Sequence, residues 1–148
     1  MRLAAAKVKD ERIDIPVDLF KCGVVVWIGD AERMRDRLAS EGMRLDDDDF
    51  RSIGDAVGAA LDVADEPDKV IWLKELDIPV AVHEAIHAAK RMLGEKGVDD
   101  EETLCYLAEH IVRVICASRC GSRSLSSSDG TSRRTGRQSS LSSRRARS

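Results

Sequence analysis

Three residues in one short stretch carry the clearest chemistry in the chain. The stretch Val80–Ala89 contains His83, Glu84 and His87, spaced as H-E-x-x-H, in an apolar, alanine-rich run that favours a helix. Residues four apart on an α-helix share a face, so the two imidazoles can bind one zinc ion. Glu84 lies about 100° round the helix from His83, where it can act on a coordinated water instead of the metal. The spacing therefore predicts a zinc site with Glu84 as general base.

Histidine is scarce here, which gives the motif more weight. The chain has only three, His83, His87 and His110. The motif helix is apolar around most of its circumference, and a polar H-E-x-x-H face within it needs partners, which a metal can provide. The alternative is a helix whose His and Glu side chains are ordinary surface or core polar groups.

Catalytic zinc needs three protein ligands and one open position. We expect the third ligand from the next predicted helix, which begins with an acidic cluster, and Glu102, 15 residues after His87, is the first choice. Asp99 and Glu102 also have capping-box spacing, so Glu102 could instead close the helix N-terminus. The competing ligands are acidic neighbours or other donors on the same helix: Glu101, Asp100, Cys105 and His110.

Strand-like segments precede the motif. Ile13, Ile15 and Val17 alternate with polar residues and Pro16, which is typical of an edge strand, and Cys22–Ile28 reads as a buried strand. We predict a weaker strand over Ala56–Val63 and a compact one over Lys69–Lys74, paired as a hairpin.

Helices are predicted from caps and apolar spacing. Asp30 caps a helix that Gly42 ends, and Asp77 caps the motif helix, which runs to about Leu93. The second helix, from about Asp100 to Ala117, should pack antiparallel to the motif helix because the link is short. The acidic run Asp46–Asp49 is interpreted as a solvated turn, since no EF-hand spacing follows it.

Composition divides the chain into an acidic body and a basic tail. The 148 residues suit one domain, and 43% of them are hydrophobic. Residues 119–148 hold 8 Arg and 1 Asp, so they carry +7 of a net −3 and leave −10 for residues 1–118. We predict a folded domain over residues 1–118 and a disordered Ser/Arg-rich tail over 119–148. The acidic body argues against nucleic acid as the main partner, although the tail could touch RNA, DNA or the body itself.

Cysteine usage and the N-terminal sequence indicate a compartment. The four cysteines form no C-x-x-C pair, and the first residues lack the apolar region of a signal peptide. No apolar run reaches the ~20 residues needed to span a membrane. We therefore expect a cytoplasmic protein with reduced thiols.

The two helices together resemble a known family. His83–Ala89 reads H-E-A-I-H-A-A and Glu102–Leu107 reads E-T-L-C-Y-L. This combination resembles the gluzincin-type metallopeptidases, in particular the small minigluzincin domains, and is similar to small zincin-like proteins encoded by phages and prophages. The resemblance covers roughly residues 70–114, and Cys105 stands where the family usually has Ala.

The resemblance implies a fold and a set of roles. The implied fold is a small zincin-like α+β domain with a short antiparallel or mixed β-sheet, the motif helix and a second packed helix. The implied site is Zn²⁺ held by His83, His87 and Glu102, with Glu84 as general base. If it is encoded by a phage, the protein would act in the host cytoplasm, and phage structural proteins would be further partners.

These features predict a zinc-dependent metallopeptidase acting on a peptide or protein substrate. Tyr106, one turn after Glu102, is the candidate donor to the oxyanion, and the alternative is an aromatic supporting the site or the core. His110 could orient a ligand or donate to the oxyanion, or it could be a surface residue. The strand Lys69–Lys74 is expected to line the cleft and pair with an extended peptide. The competing hypothesis is a non-catalytic phage assembly or accessory protein that keeps the fold and binds zinc or a protein partner.

Overall fold

The computed structural model of the chain describes residues 9–121. They form a small α+β domain of four strands and four α-helices, with a short 3₁₀ turn after the first strand. In chain order the elements are β1 (Glu11–Val17), β2 (Cys22–Ile28), α1 (Ala31–Ser40), α2 (Asp47–Ser52), β3 (Gly58–Asp62), β4 (Lys69–Leu73), α3 (Ile78–Glu95) and α4 (Glu101–Gly121).

The four strands form one mixed sheet in the order β1-β2-β4-β3. β1 pairs antiparallel with β2, β2 pairs parallel with β4, and β4 pairs antiparallel with β3. The parallel pair needs a long crossover, which α1, α2 and β3 supply. β1 and β3 are therefore the two edges, and the predicted edge strand at Pro16 is confirmed.

Helices cover both faces of this sheet. Alternate residues of β2 point to opposite sides: Val24 and Val26 face α3 and α4, whereas Val25 and Trp27 face α1 and α2. Alternate residues of β4 likewise point to opposite sides of the sheet. Because both faces are buried, the two inner strands read as nearly continuous apolar runs.

The motif helix and its partner have well-defined starts. The Asp77 carboxylate accepts the backbone N–H of Val80 at 3.1 Å, which confirms the predicted cap of α3. α4 is capped by Asp100, which accepts the backbone N–H of Thr103 at 2.7 Å. The Asp99–Glu102 capping box is therefore not formed, and the cap lies one residue later.

Three predictions need correction. The strand predicted to pair with substrate is β4, and both of its edges are already used by β2 and β3. The acidic run Asp46–Asp49 is not a simple turn, since Asp46 caps α2 by accepting the backbone N–H groups of Asp48 and Asp49. α4 also continues four residues past its predicted end at Ala117, and Arg119 pairs with Glu11 at 3.2 Å.

The rest of the predicted tail, residues 122–148, lies outside the described residues. All four cysteines fall within the described part of the chain, and all four are free. None of the described helices combines the length and apolar character needed to cross a membrane.

Candidate metal centre

The two motif histidines meet on an exposed face of α3. Their Nε2 atoms lie 3.0 Å apart, with ring centroids separated by 4.6 Å and planes inclined at 76°. Two nitrogens bound to one tetrahedral zinc, each at 2.0–2.1 Å, would be about 3.3 Å apart. The donor set therefore fits a shared zinc ion, and without metal the two rings can share one proton in a hydrogen bond.

Glu84 occupies a different environment from the histidines. Only 8% of the residue is exposed. It lies where α3 passes β3, and the gap there is narrow: a Cβ built on Gly58 would stand 3.2 Å from Glu84 Cγ and 2.6 Å from Val80 Cγ1. The edge strand therefore holds the candidate base close to the imidazole face of the helix.

Charged side chains anchor α3 to the sheet beyond the motif. Lys69, at the start of β4, is buried and contacts Glu95 at 2.6 Å and Asp62 at 3.3 Å. Arg91, one turn after His87, contacts Asp49 at 2.5 Å and Asp62 at 3.0 Å. These pairs join α3 to β3, β4 and α2.

Electrostatics at Arg91 support this anchoring. Burial by itself would lower the pKa of the guanidinium, but the hydrogen bond that Arg91 donates to Asp49 and the charge of Asp62 raise the pKa above its ordinary value. These contacts tie Arg91 of α3 to α2 and β3.

The opposite side of α3 faces α4 across an apolar groove of about 450 Å³. From α3 the groove is lined by Val82 and Ile86, each of which directly precedes a motif histidine. Most residues of the α4 wall are small or apolar, and its two charged residues, Glu109 and Arg113, are ion-paired with each other. The wall consists of Leu104, Cys105, Ala108, Glu109, Val112 and Arg113. The lining of the groove includes neither motif histidine.

Glu102 lies elsewhere on α4. It is exposed in the first turn and lines neither this groove nor the second cavity at the α3–α4 turn, of which Glu101 forms part. Cys105 lines the groove and is exposed. Glu102 as zinc ligand thus stays a prediction, and the structure does not bring it to the histidine pair.

The remaining candidates are also placed on α4. Tyr106 is 65% exposed and so is not a core aromatic, and His110 is exposed as well. Within residues 9–121, no cluster of three or more His, Cys, Asp or Glu side chains is arranged to hold a metal ion. The centre therefore consists of two convergent nitrogens and a neighbouring carboxylate.

One residue beside this centre was missed in the sequence. Gly58 of β3 lies against Val80 and Glu84, and a glycine inside a strand often marks a close approach of another element.

Comparison with known proteins adds no relative. No family model, curated protein sequence or solved structure gives a significant match. The resemblance to the gluzincins therefore rests on the motif residues themselves.

Proposed function

We propose that this protein is a zinc-dependent metallopeptidase in which His83 and His87 hold the metal and Glu84 is the general base. The convergence of the two Nε2 atoms at 3.0 Å, with a largely buried carboxylate on the same turn of helix, carries the proposal. Zinc bound there would supply a Lewis acid and lower the pKa of a water molecule. The zincin-like identity of the α+β fold belongs to the same proposal.

Glu84 is suited to proton transfer by its position. It follows His83 directly, and its packing against β3 restricts the orientations available to the side chain. It would take a proton from the attacking water and pass it to the leaving amine. Tyr106 remains the candidate donor to the oxyanion, which would require its exposed side chain to turn towards the histidines.

The substrate would lie along β3 instead of β4. β3 uses one edge to pair with β4. At the end of its other edge the Asp62 carbonyl already accepts the backbone N–H of Asp46 at 3.1 Å, so only the part over residues 58–61 has no strand partner there among the described residues. An extended peptide can add to such an edge through backbone hydrogen bonds. Because Gly58 of β3 lies against Glu84, a peptide paired there would pass beside the candidate base.

The test combines metal analysis with hydrolysis of a peptide library by the full chain. We expect one zinc per chain, loss of zinc in His83→Ala, and retention of zinc in Glu84→Gln with hydrolysis reduced at least ~100-fold. Glu66→Gln, which makes the same chemical change at an exposed turn residue, is the matched control and should behave like the wild type.

Two outcomes would count against the enzyme. If the His83→Ala variant kept its zinc, His83 would not be a ligand and the proposed metal centre would be wrong. Zinc bound at one per chain without hydrolysis of any peptide would leave the non-catalytic accessory protein as the better description.

A further inference from the structure

Helix α4 carries a second stripe of regularly spaced residues besides the one that packs in the core. The core stripe, Leu107, Ile111 and Ile115, is buried. The second stripe recurs at alternating intervals of three and four residues, and each member is exposed or half-buried: Glu102, Cys105, Glu109, Val112, Cys116 and Arg119. An average spacing of about 3.5 residues is the repeat of a helix that packs along another helix. These six residues are called the α4 seam below.

The α4 seam borders an apolar groove that stays open among the described residues. Three members of the seam line the groove between α3 and α4. On its α3 side, Val82 and Ile86 are 38% and 37% exposed. Apolar side chains left open together at a surface mark an interaction site more often than single ones do. A helix laid along the seam would close the groove and remove both side chains from water.

The order of residues in the seam is self-complementary. When two copies of a helix pack antiparallel about a two-fold axis, residues equally distant from the axis face each other. Glu102 and Arg119 are equally distant from the midpoint of the seam, and so are Cys105 and Cys116. An axis at this midpoint therefore places a carboxylate opposite a guanidinium at both ends, with a pair of thiols between each end and the centre.

We propose that α4 packs antiparallel against α4 of a second copy of this chain through the α4 seam. Charge complementarity selects this partner and this direction, because parallel copies would bring like charges together at both ends. The contact would extend over about 26 Å of helix, from residue 102 to residue 119. The Arg119 side chain is 48% exposed although it pairs with Glu11, so it can also reach a carboxylate of the second copy. Glu109 keeps its own ion pair with Arg113 beside the seam.

The first experiment is sedimentation equilibrium of the full chain in a buffer with a metal chelator, so that the result does not depend on the zinc site. We expect a dimer. Glu102→Arg and Arg119→Glu should each weaken the dimer at least ~10-fold, since each brings like charges together at two symmetric places. The double variant restores opposite charges and should dimerise like the wild type. Glu66→Arg makes the same change at an exposed turn residue and is the matched control.

The second experiment tests which thiols meet. A short bismaleimide adds one thiol at each end, and we expect it to join two copies through Cys105 of one and Cys116 of the other. Cys105→Ser and Cys116→Ser should each remove most of the crosslinked dimer. Cys120→Ser, one turn further along α4, is the matched control and should leave the crosslinking unchanged. Circular dichroism should be the same for all these variants, because the substituted side chains are exposed.

Each contrary result would overturn the proposal. A monomer at every concentration would exclude the interface. A dimer that both charge variants leave intact, or a loss that the double variant does not reverse, would place the contact on another surface. Crosslinking that persists in Cys116→Ser would mean that the two copies do not meet in the antiparallel register.

Discussion

Replacing Gly58 by alanine tests the contact between the edge strand and the motif helix. The added Cβ would stand 2.6 Å from Val80 Cγ1 and 3.2 Å from both Glu84 Cγ and Leu73 Cδ2. Favourable carbon–carbon contacts are about 3.5–4.0 Å, so the contact with Val80 is about 1 Å too short. Val80 cannot rotate away easily, because a β-branched residue in a helix has one strongly preferred rotamer. Either β3 or the first turns of α3 must therefore move.

The expected cost follows from this overlap. Overpacking of this kind destabilises a protein by about 1–3 kcal/mol. If α3 moves, Glu84 moves with it, and a 1 Å displacement of a catalytic group can reduce the rate by up to ~100-fold. Zinc affinity should change much less, because the added Cβ meets Val80, Glu84 and Leu73 and both histidines are exposed.

Gly94→Ala provides the control within the same helix. A Cβ at Gly94 has no neighbour within 4 Å, so this substitution should raise stability by up to about 1 kcal/mol through the better helix propensity of alanine. Urea denaturation of both variants gives the comparison, with zinc affinity and peptide hydrolysis measured in parallel. If Gly58→Ala is as stable as the wild type, the close approach of β3 to Glu84 is wrong.

Two further changes examine the anchoring and capping of the helices. Lys69→Met removes a buried cation and leaves the buried Oδ1 atom of Asp62 without a partner, whereas the half-exposed Glu95 can hydrate. We expect a loss of about 1–3 kcal/mol in urea denaturation, and an unchanged midpoint would mean that the ion pairs do not hold α3. The Thr103 hydroxyl and backbone N–H bonds lower the pKa of Asp100, so its stabilising charge is present at neutral pH and is lost as pH falls through that lowered pKa. Asp100→Asn should therefore be less stable than the wild type at neutral pH, and the difference should vanish in acid once the pH is below that lowered pKa. A difference that stays constant with pH would contradict the assignment.

Local patterns predicted much of the fold. The run Cys22–Ile28 is a strand over those same residues, because a β-branched run buried on both faces has no competing helical pattern. Asp30 and Asp77 cap α1 and α3 as predicted, since a cap depends only on a few neighbouring residues. The hairpin of β3 and β4 was also correctly predicted.

The order of the strands in the sheet could not be predicted from local sequence patterns. Lys69–Lys74 was predicted as a compact strand with charged ends that pairs with substrate, but Lys69 at its start is buried and paired with Glu95, 26 residues later in the chain. A charged residue indicates exposure only when no distant partner is available, and the sequence gives no direct sign of that partner. The sequence therefore did not reveal that β4 is an inner strand between β2 and β3.

The third ligand shows the same limit at the site itself. H-E-x-x-H is local, because one turn of helix fixes the relation of its three side chains. A ligand on α4 depends instead on where α3 ends and where α4 begins. α3 ends at Glu95, two residues past its predicted end at Leu93. On antiparallel helices, an error of this size at the turn shifts the α4 residue that faces a given α3 residue by a similar number of positions. Glu102 therefore stays the ligand predicted from the sequence, and the zinc affinity of Glu102→Gln tests that prediction without any assumption about catalysis.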